Sequence, residues 1–138
     1  MKKFFVVLTA ICFVLLVGCS NGIKVGDKIV VEKQVNGADK YELYNEIKDS
    51  KEVKKVKDIL KNITWENAKV SMVHPPEYQF HFEDANSKKI GADYGLWISP
   101  DIGKIELVVF NEIKYAQLDK EKSEELLKII TGKSIGEN

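Results

Sequence analysis

At 138 residues the chain has the length for one domain with its own core and too little for two comfortable ones. Its 21 basic residues balance 21 acidic ones, and every basic residue is a lysine, so neither net charge nor a guanidinium fork points to nucleic acid or to bidentate phosphate recognition. The only thiols are Cys12 and Cys19.

The chain opens with Lys2 and Lys3, followed by an apolar run from Phe4 to Val17. A run of about 14 residues at about 1.5 Å each is too short to span roughly 30 Å of hydrocarbon, and it has the layout of a secretory leader. It ends in Leu16-Val17-Gly18-Cys19, which resembles the lipobox of bacterial lipoproteins. That resemblance implies a diacylglycerol joined to the Cys19 thiol and a peptidase cut after Gly18. Residues 1–18 are then a removed signal peptide, 19–27 a lipidated N-terminus and polar tether, and 28–138 a single domain. Cys12 leaves with the leader and Cys19 is alkylated. The remaining 120 residues (138 less 18) hold no thiol for a disulfide, a zinc site or a nucleophile. With Lys2 and Lys3 gone, 19 lysines face 21 acids, a net charge of −2.

Lys28–Val35 has strand composition and Lys40–Ile47 alternates, while Asn36-Gly37 between them predicts a two-residue hairpin turn with positive φ at both positions. A helix follows over about 50–63, capped by Asp49 with Glu52 or by Ser50, with Val53, Val56, Leu60 and Ile63 on one face. From Glu66 the period changes to two. Lys69–Val73 reads as a strand stopped by His74-Pro75-Pro76, and Tyr78–Glu83 alternates, with Tyr78, Phe80 and Phe82 on one side. Ala85–Lys89 is a polar loop. Tyr94–Ser99 and Lys104–Phe110 form a hairpin around Pro100-Asp101-Ile102-Gly103, and Ile113–Leu118 adds a short strand. A last helix runs from about Lys120 to Thr131 and stops at Gly132. The order ββα-ββββα predicts an α+β fold: an antiparallel sheet of five or six strands with two helices over one face.

Trp65, Pro75-Pro76, Leu96-Trp97-Ile98 and the closing Lys114-Tyr115, Leu118, Leu126 and Ile130-Thr131-Gly132 together resemble the YhfM-like domain of Bacillus-type lipoproteins over about residues 41–132. The resemblance implies a small extracytoplasmic lipoprotein domain of unassigned function. It brings no catalytic residue with it.

The residues themselves offer little chemistry. His74 and His81, with Glu77, Glu83 and Asp84 nearby, are the only imidazoles for a zinc site, but His81 alternates with Phe80 and Phe82 and reads as a solvent-face residue. There is no G-x-S-x-G, no Ser paired with a nearby His and no Gly-rich phosphate loop. Lys51, Lys54, Lys55, Lys57 and Lys61 could lie on anionic lipid, yet Asp49, Glu52 and Asp58 are interleaved with them as on a solvated helix face. The sharper anomaly is apolar: Trp97, Val108 and Phe110 point away from the side shared by Leu96, Ile98, Ile105, Leu107 and Val109. Either they form a docking patch for a partner, or a helix crosses over and buries them. No cofactor, metal or nucleic acid is expected. The expectation is a non-catalytic binding or protein-interaction module, held on the outer face of the cytoplasmic membrane through diacylglyceryl-Cys19, with an envelope protein or small ligand as partner. The competing readings are an envelope-acting hydrolase using carboxylates and an inhibitor-like or structural envelope protein.

Overall fold

The structure, a computed structural model, describes residues 28–137. The leader, Cys19 and the tether through Asp27 lie outside the described residues. In chain order the elements are β1 (Lys28–Gln34), β2 (Tyr41–Ile47), α1 (Ser50–Asn62), β3 (Tyr78–Glu83), β4 (Lys89–Ser99), β5 (Lys104–Val109), β6 (Lys114–Gln117) and α2 (Lys120–Thr131). The six strands form one antiparallel sheet in the order β2-β1-β3-β4-β5-β6. The α+β class and the ββα-ββββα order are those expected.

Local chemistry sets each boundary. Asn36 and Gly37 both take positive φ, 56° and 67°, and the Ala38 N–H donates to Val35 O at 3.3 Å. The loop is nonetheless wider than a two-residue turn, because the Val35 N–H bonds Lys40 O and Gln34 pairs with Tyr41. Asp49 is the cap of α1, its carboxylate accepting from the N–H groups of Lys51 and Glu52 at 2.8 and 3.2 Å. Asp119 caps α2 through the Lys122 N–H, and Gly132 ends that helix at φ 76°.

Both helices lie on the same side of the sheet. Val56 of α1 and Leu126, Leu127 and Ile130 of α2 are fully buried against Ile29, Val31, Phe80, Leu96, Ile105 and Leu107. Each such side chain contributes about 1.5–3 kcal/mol by leaving water. The last turn of α2 reaches the sheet edge, where Tyr44 Oη donates to Thr131 O and Asn45 Nδ2 to Ile130 O.

The opposite face is covered by irregular chain. The expected strand over Lys69–Val73 does not form: Glu66 alone pairs with Tyr115, through two backbone bonds of 2.8 and 3.0 Å. β6 spans only four residues, so its outer edge offers little to pair with. Residues 66–77 instead cross the sheet as a strap. Ala68 and Val70 line a shallow cleft with Val108, His74 O accepts from Trp97 Nε1, and Glu77 Oε2 accepts from the Ile98 N–H. That N–H lies beyond the last β3–β4 pair, Tyr78 with Leu96, so a side chain satisfies what the ladder leaves open.

β4 is longer than the expected Tyr94–Ser99 and carries a bulge. Phe80 pairs with Tyr94 and Phe82 with Ile90, so three residues of β4 oppose the single His81. Gly91, at φ 76°, supplies the left-handed position that this excess requires.

Candidate functional site

Trp97, Val108 and Phe110 do share the strap side of the sheet. Gly95 pairs with Val108, and the rings of Trp97 and Phe110 lie over Gly95. A Cβ at Gly95 would come within 2.7 Å of Phe110 Cζ and 2.8 Å of Trp97 Cζ3, so the missing side chain creates the seat for both rings. Trp97 is 5% exposed, and its indole donates to His74 O at 2.7 Å. Val108 and Phe110 are half-buried. Neither expected arrangement is present in simple form: no helix crosses to this side, and Trp97 is not an open docking surface because the strap lies over it.

Beyond Trp97, the same face is polar. Glu106 accepts from Tyr115 Oη and from Ser99 Oγ, which ties β4, β5 and β6 together. Burial first, and then the Glu106 carboxylate, push the Tyr115 phenol up to about 12. At the far end His81 sits between two acids, with Nε2 3.0 Å from Glu83 Oε1 and Nδ1 3.7 Å from Asp93 Oδ1. Lys28 Nζ lies 3.1 Å from Glu83 Oε2. His74, by contrast, is exposed, with Nδ1 3.9 Å from Glu77. Among the described residues no three His, Cys, Asp or Glu side chains converge to hold a metal ion.

The His81 hydrogen bond, and then Lys28, hold the Glu83 carboxyl below its ordinary range. A carboxyl lowered in the folded state stabilises the fold above its unfolded value of about 4.5 and loses that effect as pH falls through the lowered value. Glu83→Gln should therefore lower the thermal midpoint at neutral pH, and the gap to wild type should close in acid. A gap that persists unchanged at the lowest pH would show that the charge is not responsible.

Sequence reasoning missed a second feature on the helix side. Where the β4 bulge parts from β3, a cleft of about 340 Å³ opens beneath the C-terminal half of α1. α1 contributes Lys57, Leu60 and Lys61, and the sheet contributes Phe82, Ile90 and Tyr94 beside Gly91-Ala92. A second cleft of about 300 Å³ shares Leu60, Gly91, Ala92 and Tyr94 and extends to Trp65, Val109, Glu112 and Lys114. The floor is an aromatic ladder: Tyr94 stacks on Phe80 at 5.0 Å, meets Phe82 edge-on, and stands 6.3 Å from Trp65. Trp65 is fixed by its indole N–H on Leu60 O at 2.9 Å. Burial raises the Tyr94 phenol. Two of the five helix lysines noted in the sequence thus face this groove, while Lys55 pairs with Glu125 of α2. The isolated Gly91 within a strand was the one signal that could have indicated the bulge.

Residues 22–135 match the model of a protein family described as YhfM protein. The match includes β1 and extends beyond the 41–132 of the resemblance noted in the sequence. No curated protein sequence matches the chain. A crystal structure of a thioesterase-like protein from Clostridium sporogenes ATCC 15579 is similar with a TM-score of 0.53 and 18% identity, over 78% of this chain and 95% of that one. At that identity the likeness is one of fold.

Proposed function

The chain belongs to the YhfM protein family, and we propose that it works as a membrane-anchored, extracytoplasmic binding module. The observation that carries the binding role is the groove between α1 and the bulged β4. At about 340 Å³ it lies at the small end of ligand sites, which run to about 300–1,000 Å³, and its lining is mostly apolar with a few charged groups at the rim. Ligand pockets have this make-up. The anchor reading is supported by Leu16-Val17-Gly18-Cys19 after a short apolar leader.

The tether sets the working distance. Eight residues, Ser20 to Asp27, separate the lipid-bearing Cys19 from the start of β1 at Lys28. Fully extended, they reach at most about 26–29 Å, so the groove works close to the bilayer. Cys19→Ser should leave the precursor uncleaved or release the protein from membranes, since two acyl chains at about 0.8 kcal/mol per buried CH₂ hold it there. Mass spectrometry of membrane-bound protein checks this, and an unmodified N-terminus in that fraction would overturn the anchor.

A second reading, an ester-cleaving enzyme, is favoured by the likeness to the thioesterase-like protein. It needs a nucleophile or a general base at the cleft. The lining offers Lys57, Lys61, Tyr94, and the carboxylate Glu112, which is paired with Lys114 at 3.2 Å. Turnover of p-nitrophenyl octanoate by the purified protein, lost on substituting Tyr94 or Glu112, would support this reading over the binding module.

A further inference from the structure

We infer that His81 is a proton-operated clasp on the β4 bulge. With both ring nitrogens protonated it ties Glu83 of β3 to Asp93 of β4, and with one it lets Asp93 go. The clasp acts on the wall of the groove and is independent of what the groove holds.

The bulge leaves a gap in the sheet that side chains are left to span. β3 and β4 pair at Phe80 with Tyr94 and again at Phe82 with Ile90, and His81 between them has no partner residue in β4. Opposite it stand Gly91, Ala92 and Asp93, of which Gly91 and Ala92 also wall both clefts. The Asp93 carbonyl accepts from the Phe110 N–H at 2.9 Å, so Asp93 is fastened to β5 on its other side. A link from His81 to Asp93 therefore braces the sheet where the β3–β4 ladder is interrupted.

Counting protons on the ring shows why that link depends on pH. The imidazole is 13% exposed and has an acid at each nitrogen. An ionised carboxylate only accepts hydrogen bonds, so Nε2, 3.0 Å from Glu83 Oε1, carries a proton. The neutral ring has no other, and its Nδ1 lone pair then faces Asp93 Oδ1 at 3.7 Å, beyond hydrogen-bond reach. A second proton turns that lone pair into a charged donor aimed at a carboxylate, and the gap closes. Imidazoles gain this proton between about pH 8 and 5, whereas carboxyl groups titrate around pH 4. The clasp thus closes as pH falls through the imidazole range and opens as it rises.

The other charges around the ring are already matched. β1 presents Lys28, which meets Glu83 at 3.1 Å and Glu46 of β2 at 3.6 Å, and Lys48 also reaches Glu46. Glu32 lies one pair further along β1, opposite Gln79. β4 presents Lys89, 2.9 Å from Asp93 Oδ1, and β5 presents the uncharged Phe110. In the β3–β4 loop Asp84 is taken up by the amides of Asn86 and Lys88. Lys28 and Lys89 repel the second proton while the two carboxylates attract it, so the clasp opens and closes instead of staying shut.

The test follows the isotope-labelled, full-length lipidated protein in lipid discs by NMR, from about pH 8 to 5. It needs no ligand, so it reads the clasp whatever becomes of the binding-module reading. At the alkaline end the His81 ring should be the tautomer protonated at Nε2. At the acid end its Nδ1–H should appear as a slowly exchanging proton, unlike that of His74, which is exposed and spans no gap. The amide signals of Gly91, Ala92 and Asp93 should shift with the same midpoint as the His81 ring. Asp93→Asn keeps a titrating imidazole but removes its charged partner, and most of that amide response should be lost. His74→Gln should leave the response whole. An Nδ1-protonated tautomer at the alkaline end, bulge amides that do not follow the ring, or a response that survives Asp93→Asn in full would each overturn the inference. If Asp93→Asn distorts the bulge at every pH, the wild-type Nδ1–H decides: a His81 proton exchanging as fast as that of His74 overturns the clasp.

Discussion

Trp97→Ala should cost about 3–5 kcal/mol, the range for emptying a buried Trp or Phe site. Since small domains hold only about 5–15 kcal/mol in total, the variant should melt far below wild type. Two effects combine. The indole leaves a cavity between Gly95, Phe110 and the strap, and His74 O loses the donor that lies 2.7 Å away. Trp97→Phe separates them, because it keeps most of the ring and loses only the hydrogen bond, at about 1 kcal/mol plus the smaller void. Urea midpoints of the three proteins check this. An unchanged midpoint for Trp97→Ala would mean that the strap does not hold the ring, and would restore Trp97 as a free contact surface.

Gly95→Ala is expected to be the next most damaging change, by about 1–3 kcal/mol, as an overpacked site. Adding one methyl usually helps a strand, because glycine has more freedom to lose. Here the new Cβ meets two rings at 2.7 and 2.8 Å. The Phe110 ring tip belongs to a half-buried side chain and can swing out, but Trp97 is held by the strap. The penalty should therefore shrink in a Phe110→Ala background without disappearing, and the interaction energy from that double-mutant cycle measures the ring contact. Strictly additive losses would show that the two rings are not the reason.

The same residues show how far the sequence could be read. Alternation at Tyr78–Glu83 and Lys104–Phe110, the cap at Asp49 and the stop at Gly132 are local signals, and each element stands within a residue of where its signal placed it. The apolar character of Trp97, Val108 and Phe110 was equally plain. Their cover was not, because an irregular strap has no period to detect. Lys69-Val70-Ser71-Met72 alternates as a strand would, yet a strand needs a partner, and among the described residues the β6 edge pairs outward with Glu66 alone. The groove was less legible still. Lys57 and Leu60 lie about thirty residues before Ile90, Gly91 and Tyr94, and only the register slip between β3 and β4 brings them together. The helix lysines read as an evenly solvated face because spacing alone does not say which of them overhang the sheet.

The strap also has a dynamic consequence. Among the described residues, Glu66 is the one position from Thr64 to Pro76 that donates its amide to another backbone group, and Pro75 and Pro76 have no amide to donate. Amides between Asn67 and His74 should then exchange with solvent deuterium quickly, while those of β3, β4 and β5 exchange only on global unfolding. The strap is a separate cooperative unit whose detachment breaks a handful of bonds. In that detached form the indole of Trp97 and the ring of Phe110 face water together with the molecule otherwise intact. A protease cutting near Val73, which is fully exposed, would trap that form and expose the aromatic face with the sheet and helices still folded.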